Sequence, residues 1–273
     1  MLQRIRRLLA LPLALLALCT PLLAHAQARE EAQLLVATEV LDQLRTQRDD
    51  VIPERIMQRA YGVAVIPDVT KVAFIFGGRH GNGVLVVRDS KGRFSHPVFV
   101  ALTGGSVGWQ AGAQSTDIVL VFTTRRGTEG IADGKLTLGA GASVAAGPVG
   151  RQGEVAAGVN AEVFAYSRNR GLFAGVALDG TAITISNKSN GAFYGRPGVL
   201  ASEIMSGAVT KDSENVRRFL AAIAASTGES ASASVTGPGN GTGSSTGSTA
   251  PAQSEGAKTF PMEDQKPGGE PPR

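Results

Sequence analysis

The stretch from Pro97 to Phe122 constrains the fold more than any other part of the chain, because it combines many glycines with strand-like apolar residues. Glycines at 104, 105, 108 and 112 lead into the apolar run Ile118–Phe122. Glycine inside strand-like sequence usually marks a bulge, a bend, or a close approach of another backbone or a ligand, since only a residue without Cβ tolerates that approach. The pattern predicts tightly packed sheet rather than a flexible linker.

The first 26 residues have the pattern of an export signal. Three arginines within residues 4–7 precede an apolar segment at 8–18, and the small-x-small sequence at 24–26 precedes Gln27. We expect cleavage before Gln27 and export to the periplasm or outer envelope. A membrane-spanning helix is the alternative, but Pro12 interrupts the apolar segment, which is shorter than the ~20 residues that a bilayer core requires.

Cys19 is the only cysteine, and a lipoprotein that begins at this residue is a minority alternative. It is disfavoured because the bulky Leu18 stands where lipoprotein signals have a small residue. Cleavage after Ala26 would leave a mature chain without cysteine, which excludes disulfides and thiolate metal sites.

The C-terminal segment from Ser226 to Arg273 consists mainly of Ser, Thr, Gly, Ala and Pro. Such a composition cannot bury enough apolar surface to offset the entropy of ordering, and it predicts a disordered tail. Residues 27–225 then form one domain. The formal net charge of +4 favours an anionic partner surface, but it lacks the dense Lys/Arg footprint of a nucleic-acid binder.

Short β runs separated by Gly, Asn, Asp and Ser extend from Gly62 to Ser186, and helical patterns flank them at 30–48, 197–205 and 213–223. Short connections favour antiparallel pairing. The predicted fold class is therefore α+β, a curved, mostly antiparallel β-sheet or partly closed barrel with flanking N- and C-terminal helices. The apolar stripe of the first helix, which includes Leu34, Leu41 and Leu44, is more often docked on its own sheet than on a membrane, and membrane contact is the alternative role for these leucines.

The catalytic patterns in the chain are weak. Gly104–Gly108 fits the G-x-S-x-G nucleophile elbow around Ser106, but the following glycines oppose the required helix and no histidine occurs after His96. His80 and His96 are the only histidines after the signal and lack a metal-ligand spacing. Phosphate-loop patterns are likewise incomplete. We expect a non-enzymatic protein without cofactor or metal.

Cations on predicted loops are the remaining candidates for a site. If the sheet brings these loops together, their side chains would form a rim that binds phosphate groups. Ordinary solvated charge is the alternative for each residue taken alone. The candidates are Lys71, Arg79, Arg125, Arg126, Arg168 and Arg170.

Five ordered sequence blocks between residues 60 and 195 resemble the SYLF domain, a family of lipid-binding domains also described in yeast as an actin-binding domain. The blocks are Ala60–Pro67, Lys71–Leu85, Pro97–Asp117, Ser143–Gly150 and Tyr166–Gly180. The resemblance implies binding of anionic phospholipid, with phosphoinositide-like head groups in the family. The export signal makes actin a less suitable partner for this chain than lipid, and an envelope module that binds another protein or itself is the rival interpretation.

Overall fold

The computed structural model describes most of residues 27–228. The described ranges are 27–46, 52–73, 76–89, 91–107, 112–149, 161–169 and 172–228. The helices are α1 (27–46), α2 (Glu54–Gln58), α3 (Arg126–Ala132), α4 (Asn187–Phe193), α5 (Ala201–Met205) and α6 (Glu214–Ser226). The strands are β1 (Gly62–Ala73), β2 (Phe76–Val87), β3 (Val98–Val107), β4 (Gly112–Phe122), β5 (Lys135–Thr137), β6 (Val144–Ala146), β7 (Val163–Asn169), β8 (Leu172–Gly175) and β9 (Ala182–Ile185).

These strands form one sheet in the order β5-β9-β3-β2-β1-β4-β7-β6, with β8 also paired to β7. Pairing is antiparallel except between β6 and β7, which run parallel. The sheet is curled and open, like half of a barrel, and helices lie at its N- and C-terminal sides. The predicted α+β class is confirmed, and β3 and β4 confirm the predicted sheet within Pro97–Phe122.

The four central strands β3-β2-β1-β4 form two nested hairpins. Ala73 pairs with Gly77 within the inner hairpin, and it also pairs with Gly112 of the outer hairpin. Both turns therefore emerge at the same end of the sheet, which we call the distal end. The opposite, proximal end carries Gly62, Val87 and Phe122.

Apolar side chains cover both faces of the proximal half of these strands. Alternation along each strand sends neighbouring residues to opposite faces. On one face, Val63, Val84 and Val119 pack with residues of α1, α2 and α6. On the other face, Ala64, Leu85 and Leu120 pack with residues that include Ile131 of α3 and Ile204 of α5.

Helix α1 docks on the first of these faces, so membrane contact by its apolar stripe is not compatible with the fold. Leu34, Leu41 and Leu44 are buried in the core. Glu31 fixes the start of the helix because its carboxylate accepts hydrogen bonds from Ser213 and Asn215 just before and within α6. Among the described residues, no helix is long and apolar enough to cross a membrane.

Glycines allow β1 to cross very close to β2. A Cβ on Gly83 would lie 2.4 Å from Ile66 Cγ1 and 2.5 Å from the backbone oxygen of Val65. Gly81 is similarly close to Ile66 and Val69, where the β1 register shifts at a bulge. These contacts confirm that glycine within the strands permits close approach.

The last helix extends slightly beyond the predicted boundary at 225. Ser213 caps its start by accepting a hydrogen bond from the Val216 N–H, as the sequence predicts. Ser226 belongs to the helix, and the buried Thr227 donates its hydroxyl to the Ile223 carbonyl. The predicted signal at 1–26 and residues 229–273 of the predicted tail lie outside the described residues.

Candidate functional site

Lys71 and Arg79 are direct cross-strand partners near the distal end. Lys71 of β1 also pairs with Gln114 of β4, and Arg79 of β2 pairs with Gly104 of β3. These four residues form a line across adjacent strands, which are about 4.8 Å apart. We call this line, Gln114-Lys71-Arg79-Gly104, the distal cationic row.

The Arg79 side chain is held close to the sheet. A Cβ on Gly104 would lie 3.2 Å from Arg79 Cγ and 2.8 Å from Thr181 Oγ1, so glycine leaves the room that both side chains occupy. Arg79 Nε and the Thr181 hydroxyl are buried without a hydrogen-bond partner. Desolvation lowers the pKa of the Arg79 guanidinium, which nevertheless remains charged at neutral pH.

Within the described part of the chain, neither Lys71 nor Arg79 forms an ion pair. Like charges placed directly opposite each other across two strands are destabilising. An anion bound between them would relieve this repulsion, and an arginine guanidinium is suited to bidentate contact with a phosphate. The row can therefore bind an anionic group.

Arg168 has a structural role instead. Its guanidinium donates two hydrogen bonds to Asp117 Oδ2, with Nε at 2.7 Å. The Arg168 and Asp117 side chains are only 16% and 11% exposed. Asp117 Oδ1 also accepts the backbone N–H of Asp68 at 3.0 Å. The prediction of Arg168 as a free loop cation is therefore wrong, because a buried carboxylate from another strand neutralises it.

Arg125 and Arg126 lie past the proximal end of β4, at the start of α3. Arg126 is 82% exposed and lies 3.8 Å from Glu162, and Arg125 lies 3.4 Å from Glu129. Phe122 pairs with Val163 whereas Asp117 pairs with Arg168, which separates the two groups by roughly 17 Å along the strands. The structure does not bring Arg125 and Arg126 together with Arg168, so this part of the predicted rim is wrong. Arg170 lies outside the described residues.

The sequence contained one signal for the row that loop-based reasoning missed. Lys71 and Arg79 are equally far from the middle of the β1–β2 turn, so a tight hairpin must place them opposite each other. The turn signal was not assigned there, and both residues were taken as loop cations. Thr181 carries no sequence signal, since it reaches Gly104 only through the pairing of β9 with β3.

The candidate catalytic and metal residues remain apart. Ser106 lies in β3 and the next described element is β4, whereas a nucleophile elbow requires a helix after the serine. His80 is exposed and pairs with Thr70 and Thr103. Over the ranges that the structure describes, no group of three or more His, Cys, Asp or Glu residues is placed to hold a metal ion.

The fold and the row together define an α+β domain with a curled sheet and an exposed charged surface at one end of its central strands. Residues 103–226 match the family model described as "Ysc84: Las17-binding protein actin regulator". The chain therefore belongs to the Ysc84 family, the SYLF domain that its five sequence blocks resemble.

Curated relatives share this region. The chain is 40% identical over 166 residues to LAS seventeen-binding protein 3 of Saccharomyces cerevisiae, covering 59% of this chain and 36% of the relative. It is 33% identical over 192 residues to SH3 domain-containing YSC84-like protein 1 of Xenopus laevis, covering 69% and 57%. It is 35% identical over 173 residues to the human protein of the same name, covering 62% and 50%. The chain thus spans between about a third and just over half of these relatives, and the family is one of binding domains.

Proposed function

We propose that this domain is a non-enzymatic module that binds anionic phospholipid at a membrane surface through the distal cationic row. The observation that carries the proposal is the direct pairing of Lys71 with Arg79 without an acidic partner among the described residues. Each Lys or Arg near an anionic membrane contributes about 1 kcal/mol. A phosphate head group would accept hydrogen bonds from both cations, and the amide of Gln114 extends the same line of donors.

The row also suits a surface ligand because it lies at the end of the sheet where side chains are exposed. Lys71, Gln114 and the neighbouring Thr70 are exposed, whereas the same strands are fully covered at the proximal end. Loss of charge in the row should therefore affect binding more than folding.

The double variant Lys71→Glu/Arg79→Glu should bind anionic vesicles about thirty-fold more weakly or worse, because it removes two attractions of about 1 kcal/mol each and adds repulsion. Co-sedimentation of the protein beginning at Gln27, with anionic and neutral vesicles, measures the effect. Binding by the unaltered protein should fall as salt rises, since the screening length shrinks to roughly 3 Å at 1 M.

The matched control is Arg125→Glu/Arg126→Glu, which makes the same change in net charge at the other end of the strands. It should retain most of the binding. Equal losses in both double variants would indicate a response to net charge alone. Salt-insensitive binding that neither variant changes would refute the row as the site.

A protein partner is the second candidate, and the names of the relatives favour it. The yeast relative is named for binding LAS seventeen, and the matching family is described as an actin regulator. For this chain, the corresponding proposal is a protein-interaction or self-associating module of the cell envelope. Failure to bind vesicles of any composition, together with a concentration-dependent mass by light scattering, would favour it.

We propose export for this chain, and the prediction is a mature N-terminus at Gln27. The basis is the order of basic, apolar and small-x-small segments in the first 26 residues. Intact mass spectrometry of protein recovered from the envelope fraction tests it. A lipid-modified species that begins at Cys19 would contradict the cleavage site and would make membrane attachment covalent.

A further inference from the structure

A cavity of about 350 Å³ lies between the segment that links β2 to β3 and the C-terminal helices. Its apolar lining consists of Phe94, Met205, Leu220 and Ala224. Sites for small ligands begin at about 300 Å³, so this cavity would hold a small molecule. It lies beyond Val87, at the proximal end of β2, and is therefore separate from the distal cationic row.

The apolar wall of the cavity is preformed. The Arg88 guanidinium stacks on the Phe94 ring at 4.3 Å from its centroid, which fixes the ring. Leu220 and Ala224 are four residues apart and so lie on one face of α6. A ligand body could pack here without rearrangement of the backbone.

Most polar groups of the lining already have partners. Asp89 accepts hydrogen bonds from the backbone N–H groups of Lys91 and Arg93 and from the Arg93 guanidinium. The Ser95 hydroxyl donates to the His96 carbonyl and accepts from the Val87 N–H. These groups therefore have little remaining capacity to orient a ligand.

His96 is the exception among the lining residues. Its Nδ1 atom is buried without a hydrogen-bond partner, and its ring hydrogen-bonds the Lys211 backbone. Burial lowers the pKa of His96 although Asp212 opposes the shift, so the imidazole is neutral at pH 7. A neutral imidazole has one N–H, which serves the Lys211 carbonyl, and the free Nδ1 is then an acceptor.

We propose that this cavity binds a small amphiphile with an uncharged hydroxyl head. Its hydroxyl donates to His96 Nδ1, and its apolar body packs against Phe94, Met205 and Leu220. A carboxylate head of the same length fits less well, because it has no proton to donate to a neutral imidazole and would meet the Asp89 carboxylate in the lining.

Methionine methyl NMR tests this proposal with 1-octanol and octanoate as probes. Met205 lines the cavity, whereas Met57 is buried in the separate core beneath α1 and serves as an internal control. At pH 8, octanol should shift the Met205 methyl resonance in a saturable way and leave Met57 unchanged. Octanoate should bind at least roughly tenfold more weakly, because an unmade hydrogen bond to a buried group and a like charge both oppose it.

Two variants separate the cavity from its polar anchor. Ala224→Leu fills the cavity and should abolish the Met205 response, whereas Ala221→Leu, at an exposed position of α6, should retain it. His96→Gln should weaken octanol binding roughly two- to tenfold and reduce the preference over octanoate. This variant keeps the proposal testable if Ala224→Leu does not fold.

Three results would overturn the proposal. These are an absent or non-saturable Met205 shift, an unchanged response in Ala224→Leu, and equal affinity for octanol and octanoate. Because the vesicle assay depends on Lys71 and Arg79 at the other end of β2, failure there would leave the cavity result unaffected.

Discussion

Gly83→Ala should unfold the domain or lower its melting temperature by about 10 °C or more, equivalent to about 3 kcal/mol for a domain of this size. The added Cβ would lie 2.4 Å from Ile66 Cγ1, 2.5 Å from the Val65 carbonyl oxygen and 2.8 Å from Ile66 Cα. Two of these neighbours are backbone atoms of the paired strand, so a change of rotamer cannot relieve the clash. Thermal melts followed by circular dichroism, together with urea unfolding, measure the loss.

Gly78→Ala provides the matched control in the same strand. A Cβ on Gly78 would have no heavy atom within 4 Å. Stability should stay within about 0.5 kcal/mol, or rise by up to about 1 kcal/mol, because alanine restricts the unfolded chain. A Gly83→Ala protein that melts like Gly78→Ala would show that β1 and β2 do not approach as closely as the structure indicates.

Arg168→Glu should destabilise the domain by about 3–5 kcal/mol, since it places a second carboxylate beside the buried Asp117. Asp117 also accepts the N–H of Asp68, whose φ of 50° is in the left-handed region at the β1 bulge. Loss of the ion pair would therefore also weaken the contact that holds this bulge. Urea unfolding at neutral pH measures the change.

Arg126→Glu is the control for the same change of charge on an exposed side chain. Its effect on stability should be within about 0.5 kcal/mol, as expected for surface substitutions. Arg168→Met should be less harmful than Arg168→Glu because it adds no second negative charge. If Arg168→Glu is as stable as Arg126→Glu, the ion pair with Asp117 does not support the fold.

Local sequence patterns predicted much of the fold. The spacing of Leu34, Leu41 and Leu44 located α1 and its buried face, and the glycine-rich apolar runs located the central strands. Such patterns succeed because they depend on the period of a single element. The parallel pairing of β6 with β7 was not anticipated, since the short connections elsewhere favour antiparallel neighbours.

The candidate site was predicted only in part, because neutralisation of a charge depends on tertiary partners. Lys71 and Arg79 were among the candidates, but their pairing required a hairpin register. Arg168 has the same local appearance as a free cation, and its partner Asp117 is 51 positions away in the sequence. The cavity near His96 is formed by segments that lie even farther apart, so no local pattern marks it.

The contrast between the two ends of the central strands affects how variants combine. Lys71 and Arg79 are separated from the proximal core by several residues of strand, at about 3.3 Å per residue. Substitutions more than 7–10 Å apart that share no partner usually have additive free energies, within about 0.5 kcal/mol. A stabilised proximal core could therefore serve as a common background in which distal substitutions are compared for their effect on ligand affinity alone.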